Sequence, residues 1–288
     1  MKRSARPLGV LPWGLAFLLF GLIPIAYAFG LSFQDFNPLR PDRTSWVGFA
    51  NYAAALQSPS FWKALRTTAL FVLGTLPITL TLAYGVASLL SRARRAQSFF
   101  RAAIFFPATL SMVVISLVFK SLYAQEGLLN GWLAAGGLPR VPWLLDKNLA
   151  LPSIMLMDVW SSVGYYAILI LAGRKTLPDD QLEAARLEGL SAWEVERRIV
   201  FPHLRPVLLF VVLLNTIRAF QIFIEVFVLT RGGPLESTLT LVYHIYDRAF
   251  YHFEMGYASS LAFLLLAFVG GLLVIQRTLL GARAEAAR

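Results

Sequence analysis

The chain has 288 residues, of which 57% are hydrophobic and only 15% charged, and its mean hydropathy is +0.63. A water-soluble domain of this length covers its surface with roughly a quarter of its residues charged, so an ordinary globular protein is excluded, and so apolar a chain is not disordered either. The net charge is +10 and cysteine is absent, which removes disulfides, thiol nucleophiles and cysteine-based metal sites.

In chain order, six apolar runs approach the ~20 residues that a helix needs to cross ~30 Å of hydrocarbon. Residues 11–33 carry no charge. The basic flank Lys2, Arg3 and Arg6 resembles that of a signal peptide, but the run is too long for one and lacks a clean small-residue cleavage site, so it is expected to remain as a helix. The next connection, residues 34–66, holds Pro38, Pro41, Trp46, Phe61 and Trp62. It is amphipathic enough to lie at the interface and receive a soluble partner, or to anchor helix ends through its aromatics. Runs 67–91 and 102–119 are uncharged, 149–173 is broken only by Asp158, 206–230 only by Arg218 and Glu225, and 255–276 is again uncharged. Six such helices would demand a far larger protein if they were buried in a soluble core. The expected fold is all-α and integral to a membrane, six transmembrane helices in a single domain over residues 1–288.

Orientation follows from the basic residues. With six crossings, one side receives Lys2, Arg3 and Arg6, then Arg92, Arg94, Arg95 and Arg101, then Arg174, Lys175, Arg186, Arg197, Arg198 and Arg205, and finally Arg277, Arg283 and Arg288. These outnumber the basic residues of the longer opposite connections, so both termini are expected in the cytoplasm of a cell (inner) membrane. The +10 is mainly a topology signal, and a nucleic-acid partner is not expected.

The fourth connection, residues 174–205, is polar but patterned. Pro178 suits a first helical turn, and Asp179, Asp180 and Glu183 complement a helix N-terminus. Leu182, Ala185 and Leu187 offer apolar contacts. Gly189 fits a C-terminal stop with positive φ, and Ser191 with Glu194 makes a capping box for a second helix ending before Pro202. Small Ala184 and Ala185 beside Glu183 allow close approach to another protein's groove.

Glu183-Ala184-Ala185, three residues, Gly189, nine residues, then Ile199-x-x-Pro202 resembles the EAA loop of permease subunits in bacterial ABC importers that depend on a binding protein. Phe220-Gln221-x-Phe223, the segment from Val228 to Pro234 and Met255-Gly256-Tyr257-Ala258 are similar to the carbohydrate-uptake branch, in particular the first of its two paired permeases of the maltose and glycerol 3-phosphate type. Leu190, Glu188, Phe201 and Ile224 depart from the usual residues of that branch. The resemblance implies a type I importer permease fold, with a second, homologous permease as heterodimer partner, two ATPase subunits, which hold ATP and Mg, and an external solute-binding protein delivering a carbohydrate-type substrate. Glu183, Ala184, Ala185, Gly189, Ile199 and Pro202 would couple the chain to the ATPase. The chain itself has no Gly-rich phosphate loop ending in Lys-Ser/Thr and no metal motif, and no catalytic role or resident cofactor is expected.

Ionisable groups inside a membrane are costly unless they are paired or line a cavity. Asn215, Arg218, Gln221 and Glu225 fall within about 120° of one face of a continuous helix, where an Arg218–Glu225 pair bridged by Gln221 would glue helices together or hydrogen-bond a passing sugar. Asp158, Trp160, Ser161, Ser162, Tyr165 and Tyr166 add carboxylate, hydroxyl and aromatic groups suited to pyranose rings. His203, His244 and His252 are expected as solvated or hydrogen-bonded loop residues. A sugar is the expected cargo. Glycerol 3-phosphate or a polyol is the alternative, and an ion-coupled carrier using Asp158, Arg218 and Glu225 as a relay is the competitor from another class.

Overall fold

The computed structural model describes residues 6–92 and 97–285. Lys2, Arg3, Arg94, Arg95 and Arg288, part of the charge asymmetry, lie outside the described residues. The elements in chain order are α1 (Arg6–Phe17), α2 (Ile23–Leu31), β1 (Gln34–Asp35), β2 (Ser45–Trp46), α3 (Ala50–Gln57), α4 (Pro59–Arg92), α5 (Gln97–Thr109), α6 (Met112–Leu122), α7 (Leu128–Ala135), α8 (Ala150–Arg174), α9 (Asp179–Leu187), α10 (Ala192–Val195), α11 (Phe201–Phe220), α12 (Ile224–Leu229), α13 (Leu241–Phe250) and α14 (Met255–Glu285). A wide helical turn, Leu18–Leu22, joins α1 to α2, and a second, Glu196–Val200, joins α10 to α11.

Five stretches are long and apolar enough to cross a membrane: Leu11–Leu31, Pro59–Arg92, Ala150–Arg174, Ala192–Leu229 and Met255–Thr278. The third run expected from the sequence is not one straight helix. It is the pair α5 and α6, which meet at 92°, with Pro107 ahead of the break and Ser111 in extended backbone at its N-cap position. The second span begins at Pro59, so Phe61 and Trp62 belong to a helix and not to a connection, and Phe61 is fully buried. Ala192–Leu229 has 38 residues, more than the ~20 that cross ~30 Å of hydrocarbon, and it is not one straight rod, with a wide turn at Glu196–Val200 and an interruption between Phe220 and Ile224.

The residues form two compact units, Met1–Trp62 with His244–Phe268, and Lys63–Tyr243 with Val269–Arg288. In the first unit the connection after α2 is folded. The β1–β2 ladder pairs Gln34 with Trp46 and Asp35 with Ser45, and the Asn51 side chain donates to the Ser32 and Gln34 carbonyls at 3.0 and 2.9 Å. A Cβ at Gly256 would fall on the Gln34 carbonyl, so only glycine admits this approach of α14.

In the second unit α8 is the central element. Buried Ala83 and Ala87 of α4, Tyr166 and Ile170 of α8, and Leu204 and Val211 of α11 belong to one apolar cluster. Helices gain no hydrophobic drive from lipid, so close approach at small residues carries much of their packing. Gly164 shows this directly, since a Cβ there would fall on the Ile104 carbonyl of α5, and one at Gly173 would meet Val207 of α11.

Candidate functional site

Asp158 and Arg218 lie 60 positions apart, yet the packing of α8 on α11 brings an Arg218 Nη2 to 2.8 Å from Asp158 Oδ1. Glu225 Oε1 is farther, at 3.8 Å. Both carboxylates are buried. The expected Arg218–Glu225 pair is thus corrected to a triad in which Asp158 is the nearer partner. The reason is local. The helix stops at Phe220 and restarts at Ile224, so Glu225 is not carried round by the face of one continuous helix. Gln221 falls in the interruption and is exposed, with no bridging role. Arg218 sits in the last turn of α11 and Glu225 in the first turn of α12, where the backbone dipoles favour those signs of charge.

A cavity of about 360 Å³ adjoins the triad, lined by Pro107, Leu110 and Met112 from the α5–α6 bend, Ser161, Ser162, Tyr165 and Tyr166 from α8, and Arg218 from α11. Its size is that of small-molecule pockets, about 300–1,000 Å³. Tyr166 is buried, as is Asn215 of α11, whose Oδ1 has no hydrogen-bond partner among the described residues. Trp160 does not join this group. It is half exposed and packs on Phe119 of α6, ring centroids 5.3 Å apart. The bend itself was not read from the sequence, although Pro107 inside an apolar run was a signal. Irregular backbone at membrane depth is tolerated where it lines a cavity or is buried in protein, and both interruptions, at Leu110–Ser111 and at Gln221–Phe223, flank this site.

The segment after α8 folds into two short helices, as expected. Asp179 and Asp180 occupy the first turn of α9, with Pro178 immediately before it instead of inside it. Gly189 has φ +74° with open space around its missing side chain, and the Leu190 N–H donates back to the Ala185 carbonyl at 3.1 Å, closing the helix end. Ser191 and Glu194 make both bonds of the capping box. Three expectations are corrected. Ala185 is buried against the chain, leaving Glu183, Ala184 and Glu188 outward. Leu187 makes no core contact and is 90% exposed, accompanied by exposed Trp193. The second helix does not stop before Pro202, which lies near the start of α11 in an unbroken run of right-handed helical backbone. The wide turn Glu196–Val200 carries the chain through, the Phe201 N–H bonding to the Glu196 carbonyl. Ile199 packs partly on the apolar cluster.

Glu196 was not singled out by sequence, yet it ties this segment down. Its buried carboxylate accepts a fork from Arg174 at 2.5 and 2.6 Å, the Tyr84 hydroxyl at 2.6 Å and the Ser88 hydroxyl at 2.9 Å. The available signal was its register, four and eight residues before buried Val200 and Leu204. His203 bonds Thr176 through Nε2 at 3.0 Å, and His252 lies 3.3 Å from Asp247. His244, by contrast, is buried in α13 and not in a loop.

Comparison with known proteins places this architecture. A family model described as the binding-protein-dependent transport system inner membrane component matches residues 80–279. The diacetylchitobiose uptake system permease protein NgcF of Streptomyces coelicolor is 32% identical over 290 residues, covering 94% of this chain and 82% of that protein. The lactose transport system permease protein LacF of Rhizobium radiobacter is 33% identical over 235 residues, covering 80% and 79%. A chain from the crystal structure of a bacterial ABC transporter that imports the acidic polysaccharide alginate matches with a TM-score of 0.84 at 17% identity, covering 96% of this chain and 94% of its own, a likeness of fold. With its multi-pass apolar helices and a match over most of its length, the chain belongs to the family of inner membrane components of binding-protein-dependent transport systems.

Proposed function

We propose that the chain is one of two homologous permease subunits of an ATP-driven importer, and that its cargo is a neutral mono- or oligosaccharide delivered by an external binding protein. The observation that carries the cargo reading is the engagement of Arg218 by Asp158 and Glu225 beside the cavity. A guanidinium held by two carboxylates leaves little attraction for an anion, so a sugar phosphate or a uronate is less well served than a ring of hydroxyls. Hydroxyls find partners in Ser161, Ser162 and Tyr165, while Tyr165 and Tyr166 offer aromatic faces. Relatives named for diacetylchitobiose, lactose and arabinooligosaccharides support a saccharide. Glu183, Ala184, Leu187 and Gly189 form the face we assign to ATPase docking, with both termini and this segment in the cytoplasm. The partner ATPase subunits supply ATP and Mg.

Proteoliposomes holding the chain, its partner permease and the ATPase test this. Labelled neutral saccharide presented with the binding protein should accumulate only with ATP on the ATPase side, and an uncoupler should leave uptake unchanged. Uptake driven by a proton gradient without ATP, or faster uptake of glycerol 3-phosphate or an oligouronate than of any neutral saccharide, would overturn the corresponding half of the proposal.

A further inference from the structure

Glu196 sits in the turn between α10 and α11, and its carboxylate is the only point where α4, α8 and that turn share one hydrogen-bond network among the described residues. Tyr84 and Ser88 belong to α4, and Arg174 is the last residue of α8. Arg174 also donates to Ser88 Oγ at 2.9 Å, closing the network. Charge-assisted, forked bonds of this kind fix orientation as well as supplying energy.

The rest of the segment is held more loosely. Leu177 and Ala185 are buried and Leu182 is partly so. Beneath them a cavity of about 850 Å³ opens between the segment and the ends of α4 and α8, with Arg92, Asp179, Leu182 and Glu196 in its wall. A nine-residue helix standing over such a space is not stiffened by close packing alone. The helix gripped by the network is also the one that lines the site, since Arg174 and Asp158 are 16 positions apart on α8, about 24 Å along one rigid rod.

We infer that Glu196 is a positioning residue for transport: through Arg174, Tyr84 and Ser88 it makes residues 174–200 move as one body with α4 and α8, so that displacement of α9 reaches the cavity beside Asp158. This rests on the proposed docking of an ATPase against α9. Glu196 touches neither cargo nor nucleotide, and its loss should separate hydrolysis from movement.

The test is the number of saccharide molecules taken up per ATP hydrolysed by the complete complex in proteoliposomes. Glu196→Ala should leave the ATPase co-purifying and hydrolysing ATP while uptake per ATP falls at least tenfold. Glu196→Gln, which still accepts from Tyr84 and Ser88, should fall about threefold. An unchanged ratio in Glu196→Ala overturns the inference. Should Glu196→Ala fail to assemble, the double variant Tyr84→Phe/Ser88→Ala, which spares the ion pair, should fall about threefold, and an unchanged ratio there overturns it equally. Glu183→Lys tests the docking reading separately, by loss of co-purifying ATPase. If Glu183→Lys retains ATPase and uptake while Glu196→Ala still loses uptake per ATP, the docking face is wrong and the positioning role stands.

Discussion

The segment 174–200 and the cluster around Arg218 are both polar islands in an apolar chain, but they are specified in opposite ways. In the first, each feature is written within four or five residues: the acidic first turn of α9, Gly189 at its end and the reciprocal Ser191–Glu194 cap. In the second, the deciding contact joins residues 60 positions apart on two helices, beside a cavity whose far wall is a bend in a third pair. Local codes tolerate single changes at modest cost, whereas a buried charge that loses its partner has nowhere to turn.

The contrast can be broken most forcefully where helices touch. Gly164→Val drives a side chain into the Ile104 carbonyl, and overpacking of this kind costs about 1–3 kcal/mol or more even when the offending atoms meet flexible side chains. Against backbone the outcome should be near-complete loss of the chain from membranes, as seen by immunoblot. Wild-type levels would mean that α5 and α8 are not in this contact.

Arg218→Met alone strands two buried carboxylates, and removal of one partner from such a group costs about 3–5 kcal/mol. The triple variant Asp158→Asn/Arg218→Gln/Glu225→Gln, which leaves no charge stranded, should regain most of the thermal stability of the detergent-purified complex while uptake stays impaired. Full recovery of both would make the cluster structural glue. Glu225→Gln, acting on the longer 3.8 Å contact, should cost less than Asp158→Asn. The reverse order would return Glu225 to the position of main partner.

Gly189→Ala isolates a backbone effect, because φ is +74° and nothing stands in the way of a methyl group. The left-handed conformation costs an ordinary residue about 1–2 kcal/mol, so α9 should fray at its end and uptake fall while membrane level is kept. Ser191→Ala removes one cap bond at 3.3 Å and is worth about 1 kcal/mol. It should show as faster amide exchange confined to α10, with uptake within twofold of wild type. An effect as large as that of Arg218→Met would erase the distinction between the two regions.

Hydropathy alone located the five long apolar stretches, because ~20 apolar residues in succession have no other stable home, and the wide turn after Val195 and the start of α4 at Pro59 shifted only their ends; it did not give the 92° break that splits the third run into α5 and α6. The two helices of residues 174–200, the Gly189 stop of the first and the Ser191–Glu194 cap of the second were equally legible, since they depend on neighbours within one or two turns, but the run of the second helix on through Pro202 was not. The same hydropathy could not say which spans face inward. Leu11–Leu31 and Ala150–Arg174 are both strongly apolar, yet 6% of the first and 61% of the second is buried in their most apolar windows. Nor could it pair Arg218 with Asp158 ahead of Glu225, find Glu196 as the tie between α8 and the turn before α11, or turn Trp160 away from the cavity. Those outcomes depend on which helix faces abut and on where two helices are interrupted. The rotation of a helix about its axis is set by small residues such as Gly164 and Gly173 meeting particular partners, and that information exists only once the helices are packed.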